Sequence, residues 1–200
     1  SDLISDRMSD LYFEAMGVRP DGVPEDVFQR LHRAGLRKVF VGLDAGSPER
    51  LKKFRKPQTI STSESTVQIL QKLGIEANYG FIMFQPTSTI SEIRHNFEFL
   101  QRIEDYKPHN LQNRFNLFFG VSVDERITGE GLLSKTSSLA SRHHYKFADP
   151  AVKVMADLID LISAEFGDAH TLAANLELLM IELRVMEQDS GLLLPAQQTL

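Results

Sequence analysis

The chain has 200 residues, of which 42% are apolar and 24% charged, with a formal net charge of −5. That is the mix of a globular protein of one domain, or of one domain with a small appendage, long enough to bury a sizeable core without staples. There is no cysteine, which removes disulfides, thiolate nucleophiles, Cys-ligated zinc and Cys-ligated iron–sulfur clusters from this chain. The acidic balance argues against a general nucleic-acid binder, but leaves room for a local basic pocket that holds an anionic group.

Ser1 to Asp10 is polar and acidic, which is neither a signal peptide nor a transit peptide, and the first residue is Ser rather than Met. Leu11 to Val18 is a short apolar run broken by the turn Arg19-Pro20-Asp21-Gly22. Pro24 and Glu25 open a helix with Val27, Phe28, Leu31 and Ala34 on one face. Lys38 to Leu43 is rich in β-branched and aromatic residues and reads as a buried strand. Ser47 then sits as an N-cap, with Pro48 at the first position of a short helix that runs to about Phe54. A helix over Thr62 to Leu73 is closed by Gly74, and Glu76 to Phe84 is the next strand. Ile90 to Ile103 is a helix with Ile93, Phe97 and Leu100 expected to face inward, and Leu111 to Phe119 is another apolar strand.

Strands therefore begin near residues 11, 38, 76 and 111, with a helix in each gap. That alternation predicts α/β architecture with a parallel sheet. A complete eight-unit barrel needs about 250 residues, so four units make an open sheet or part of a larger barrel. Beyond residue 127 the pattern changes. Thr128 to His144 reads as irregular, and Ala151 to Phe166 and Thr171 to about Met186 read as helices. The expected organisation is a partial (β/α) barrel over 1–127 and, over 128–200, an irregular segment with a helical C-terminal extension. No run of 18 apolar residues suggests a membrane span, and a cytoplasmic location is expected.

Several short motifs recur together. Leu31 to Ser47 reads LHRAGLRKVFVGLDAGS and is followed by PERLKKFRKPQT; later comes QKLGIEANYGFIMFQPTSTISEIRHNFEFL. In order and spacing these resemble the radical SAM superfamily, especially the branch that often carries a cobalamin-binding domain upstream. The resemblance covers about residues 11 to 127 and places the chain at roughly strands three to six of that TIM-type barrel. It implies S-adenosylmethionine as cofactor, a [4Fe–4S] cluster in the intact protein, and cobalamin as a further candidate. The resemblance also implies radical-based modification or methyl transfer.

The resemblance further implies a set of cofactor-binding residues. Asp44 matches the acidic residue at the end of a barrel strand, where carboxylate oxygens accept from ribose hydroxyls or from the cofactor's amino group; the competing reading is a turn residue. Gly46 and Ser47 lie at a helix start, where backbone N–H groups favour anions and where plain capping is equally expected for Ser47. Arg55 and Lys56 match a turn that commonly carries a cation for the cofactor carboxylate; a solvated charge is the plainer reading. Gly80, Ile82 and Phe84 fall where the superfamily has Gly-x-Ile-x-Gly near adenine, and Phe84 departs from the second glycine. Gln85 and Pro86 end that strand and could line the cavity. Asn113, Asn116 and Phe118 lie on the next strand, where alternation groups Arg114, Asn116 and Phe118 on one face; Glu14 is a further candidate to face the cavity, with an exposed edge the plainer reading. His143-His144 is a weak metal signal, because adjacent histidines share no face.

Superfamily members hold their cluster with a Cys-x3-Cys-x2-Cys loop after the first strand, and no such loop occurs here. The expectation is a piece of a longer enzyme, inactive alone, whose partners are the missing N-terminal portion and an unknown substrate. Neither nucleic acid nor membrane is expected, while self-association through an exposed sheet edge is. The alternatives are a non-catalytic binding module on a degenerate half barrel, and a piece of an unrelated barrel enzyme such as an aldolase-like lyase. No persuasive lysine or metal site supports the last.

Overall fold

The computed structural model describes residues 11–118, 127, 129, 131–133, 142, 143, 145–165 and 167. Two compact units divide the chain, 1–159 and 160–200, and nearly all the described residues belong to the first. The expected helix over Thr171 to Met186 lies outside the described residues, as does His144.

In chain order the first unit runs β1 (Phe13–Val18), α1 (Glu25–Arg33), β2 (Leu36–Asp44), α2 (Pro48–Lys53), α3 (Ile60–Leu73), β3 (Glu76–Phe81) and α4 (Ile90–Ile103). A 3-10 turn at Pro108–Leu111 and the two-residue strands β4 (Leu117–Phe118) and β5 (Arg142–His143) follow. Helix α5 (Pro150–Glu165) begins in this unit. Strands β1, β2 and β3 form one sheet in sequential order, and both pairings are parallel. Parallel neighbours need crossovers, and here helices supply them, as the alternation predicts.

The two faces of this sheet have different roles. Val39, Val41 and Leu43 of β2 and Ala77, Tyr79 and Phe81 of β3 alternate along their strands and are buried. They form one core with Phe28 of α1, Val67 and Leu70 of α3, Phe99 and Leu100 of α4, and Val152 and Ala156 of α5. Phe81 stacks on Phe99 at 5.9 Å between ring centroids, which seats the sheet on α4. Each fully buried Val, Leu or Phe stabilises by about 1.5–3 kcal/mol relative to exposure, so this face carries the fold. The opposite face presents Lys38, Phe40, Gly42 and Asp44 from β2, with Glu76, Asn78 and Gly80 from β3, all only part-buried. A parallel sheet is normally covered on both sides.

Two expectations need correction. Phe97 does not face inward: it is 39% exposed, and the buried stripe of α4 is Ile93, Asn96, Phe99, Leu100 and Ile103. The segment read as a fourth long parallel strand is mostly irregular. Among the described residues its parallel contact is the bridge Phe84–Arg114, and Leu117–Phe118 pairs antiparallel with Arg142–His143. Amide-rich Gln112, Asn113 and Asn116 disfavour regular strand. The Asn113 carbonyl also accepts from both Met83 and Phe84 N–H, which uses one acceptor for two donors and breaks the ladder rhythm.

Candidate functional site

The carboxyl end of β2 is irregular in a specific way. Gly42 pairs with Gly80 and Asp44 with Phe81, so β2 spends two residues where β3 spends one. This is a bulge, and a bulge re-aims the side chain that follows it. Asp44 takes φ +64, a left-handed conformation rare for a residue with a side chain, and Ala45 N–H donates to the Leu43 carbonyl at 2.8 Å across it. Such backbone costs about 1–3 kcal/mol and persists where the surroundings over-determine it. The Ile82 N–H provides one restraint by donating to the Asp44 carbonyl at 2.9 Å.

The Asp44 carboxylate lies on the same face as Gly42, with Oδ2 3.6 Å from where a Cβ on that glycine would stand. Its Oδ2 takes the Lys56 ammonium at 2.9 Å and the Gln58 amide at 3.2 Å. Its Oδ1 receives no hydrogen bond among the described residues, and the side chain is 17% exposed. One oxygen is therefore anchored and the other remains available as an acceptor. Lys56 is fixed by its backbone N–H on the Leu51 carbonyl and keeps two further ammonium hydrogens. Arg55, beside it, is exposed with φ +54.

Gly80 lies under the Phe40 ring on the open face; a Cβ there would stand 2.8 Å from Phe40 Cζ. Ile82 is part-buried one residue beyond β3. Phe84 is buried in the core, with its ring edge-on to Phe147 at 6.5 Å. Gln85 is buried in the following turn, where its N–H donates to Ser88 Oγ, and the Pro86 carbonyl accepts from Ala148 N–H. Asn116 and Glu14 are exposed. The side chain of Phe118 lies outside the described residues. Among the described residues no three His, Asp or Glu side chains cluster as a metal site.

Gly46 and Ser47 use their polar groups within the fold. The Gly46 N–H donates to Asn96 Oδ1 at 2.8 Å, and buried Ser47 Oγ accepts from Arg50 N–H at 3.2 Å as the N-cap of α2. Arg50, 3% exposed, pairs with Glu92 at the start of α4, and Lys53 reaches the same carboxylate at 3.1 Å. Burial pushes the Glu92 carboxyl up, but the Arg50 charge, the Lys53 hydrogen bond and the Thr89 N–H together hold it below its ordinary value. Phe54, at the end of α2, stacks on Phe115 at 5.8 Å.

Two amides central to this framework were not singled out from the sequence. Gln58 is 4% exposed and donates to the Gly42 carbonyl, the Leu43 carbonyl and Asp44 Oδ2. Buried Asn96 accepts from Gly46 N–H and donates to the Ile82 and Met83 carbonyls, which ties the turn after β2 to the chain leaving β3. A signal for Asn96 existed, an amide at helical spacing between Ile93 and Leu100. Gln58 offers none, since a glutamine after a proline is ordinary turn chemistry.

The family model of the Radical SAM superfamily matches residues 4–100, the stretch that carries this sheet and the Asp44 turn. Over this stretch the chain is similar to the radical SAM superfamily. S-Adenosylmethionine and a [4Fe–4S] cluster are the cofactors of that superfamily. The 4'-phospho-dehydrooxetanocin synthase of Priestia megaterium is 32% identical over 72 residues, which are 36% of this chain and 10% of that enzyme. Solved structures of the cobalamin-dependent S-adenosylmethionine radical enzyme OxsB superpose with TM-scores of 0.67 and 0.63, at 16% and 17% identity. They cover 82% and 83% of this chain and 30% of theirs. At that identity the likeness establishes the radical SAM-type α/β fold, and the chain spans under a third of those proteins' length. Among the described residues no helix is long and apolar enough to cross a membrane.

Proposed function

We propose that this chain supplies part of the S-adenosylmethionine and substrate cavity of a longer radical SAM enzyme, which modifies its substrate by radical chemistry or methyl transfer. The observation that carries the reading is Asp44, a strained and re-aimed carboxylate at the carboxyl end of a parallel strand. Ligands of open α/β sheets bind at that end.

The residues fit the nucleoside cofactor. Asp44 Oδ1 can accept from a ribose hydroxyl or from an ammonium group, and the spare hydrogens of Lys56 suit a carboxylate beside it. Gly80 has no side chain to collide with the Phe40 ring, which lies across it on the same face as Asp44. Gly46 and Ser47 shape the turn that presents Asp44. When bound, S-adenosylmethionine supplies either a carbon-centred radical or a methyl group. The cluster does not fit this chain, which has no thiolate to ligate it, so its ligands belong to the remainder of the longer protein. Cobalamin is named for OxsB and is proposed for the longer protein on that likeness.

The test uses the full-length protein, reconstituted anaerobically with iron and sulfide, then given S-adenosylmethionine and a strong reductant. Formation of 5′-deoxyadenosine or S-adenosylhomocysteine is expected. Cofactor binding with neither product favours a non-catalytic binding module, and no binding overturns the cofactor reading.

A further inference from the structure

The bulge at the end of β2 is a register shift against β3. The Gly42 and Leu43 carbonyls lie at this shift, and the Leu43 oxygen already accepts from Ala45 N–H across the turn. The Gln58 amide donates to both, with Nε2 at 2.9 Å from the Gly42 oxygen and 3.1 Å from the Leu43 oxygen, and so bridges the two ends of the shift. The same nitrogen stands 3.2 Å from Asp44 Oδ2. Three acceptors around one NH2 group fix which way the amide points, because an amide oxygen there would face three oxygens. The other end of the side chain is sacrificed: Gln58 Oε1 is buried and finds no donor among the described residues. An unsatisfied buried acceptor is unfavourable. The contribution of this amide to the fold therefore lies in its donor.

We propose that Gln58 is the positioning residue of the cofactor site: its Nε2 locks the bulge and holds Asp44 Oδ2, leaving Oδ1 turned out to accept from the ligand. The inference rests on the proposed function and deepens it. Lys56 alone would not achieve this, because a flexible ammonium stem neutralises the carboxylate without reaching the two strand carbonyls. Gln58 reaches all three groups from a chain held by Pro57 on one side and by the cap of α3 on the other. Thr59 supplies that cap, in a reciprocal box with Thr62.

The test is a double-mutant cycle on ligand binding in the full-length protein, with S-adenosylhomocysteine as the probe because its binding can be read without turnover. Gln58→Met keeps the volume and removes the donor. It should weaken binding about tenfold, as expected when a carboxylate loses its orienting hydrogen bond. In the Asp44→Ala background the same substitution should add no further loss, because Gln58 acts through Asp44. A merely structural role would instead give a loss that persists when Asp44 is absent. If Gln58→Met does not melt cooperatively, Gln58→Leu carries the test on the same criterion. Wild-type affinity in the Gln58 variant, or a loss that persists in the Asp44→Ala background, overturns the inference alone. Failure of the wild type to bind the probe overturns the cofactor reading and this inference with it.

Discussion

Gly46→Ala isolates the packing that holds the Asp44 turn on α4. A Cβ at Gly46 would stand 2.6 Å from Phe99 Cβ, 2.8 Å from Asn96 Cα and 3.0 Å from the His95 carbonyl oxygen. None of these is the far end of a flexible side chain, so no rotamer change relieves the overlap. Either the turn or the helix must shift by several tenths of an ångström or more, and Phe99 is itself fully buried against Phe81. The Gly46 N–H bond to Asn96 would be strained by the same shift. Overpacking in a well-packed core costs about 1–3 kcal/mol, and backbone-on-backbone contact puts this substitution near the top, at about 3 kcal/mol. For a chain of this size that is a fall in melting temperature of about 6–12 °C. Thermal unfolding followed by circular dichroism measures it, with Gly129→Ala as control because nothing lies within 4 Å of a Cβ there. A Gly46→Ala melting temperature equal to wild type would refute the packing account and return this glycine to a ligand-binding role.

Glu92→Gln should destabilise the fold by about 3 kcal/mol, because it strips the counter-charge from buried Arg50; urea unfolding would show no loss if the pair were solvated in solution. The Glu92 carboxyl is held below its ordinary value of 4.5, so its contribution is fully present above about pH 4.5 and fades as pH falls through the lower folded value. The acid limb of the stability–pH curve should therefore flatten in Glu92→Gln, and an unchanged limb would contradict that sign. β1 is the outer strand of the described sheet, and Met16 on it is 71% exposed. Light scattering of the 200-residue chain should show concentration-dependent association that Met16→Lys reduces, whereas a sharp monomer at high concentration would count against an open edge.

The repeating units of this fold were legible because they rest on local physics. Strand and helix periodicity, the Ser47 cap and the apolar cores of β2 and β3 are short-range features, and they placed three parallel strands in order. The segment after α4 misled because apolar content alone does not make a strand, and its amides and its 3-10 turn are read only in three dimensions. Phe97 misled because two aromatic residues two positions apart on α4 cannot both face inward, and only tertiary contact chose Phe99. At the site, the motif drew attention to Asp44 and Lys56, and the structure joined them. It could not reveal the bulge, the left-handed backbone or the Gln58 clamp. Those depend on a register shift between β2 and β3, which is a long-range property.

The central claim is that Asp44 meets the cofactor, and the most direct measurement is a calorimetric titration of S-adenosylmethionine into the full-length protein and its Asp44→Ala and Asp44→Asn variants. Asp44→Ala should bind about ten- to a hundredfold more weakly, the equivalent of about 1.5–3 kcal/mol for a hydrogen bond to a charged acceptor, while its melting temperature stays close to wild type. Asp44→Asn should be milder if the carboxylate accepts from ribose hydroxyls, and nearly as severe if it meets the ammonium group. Unchanged affinity in Asp44→Ala, with the fold intact by melting, would contradict the account and leave Asp44 as a turn residue.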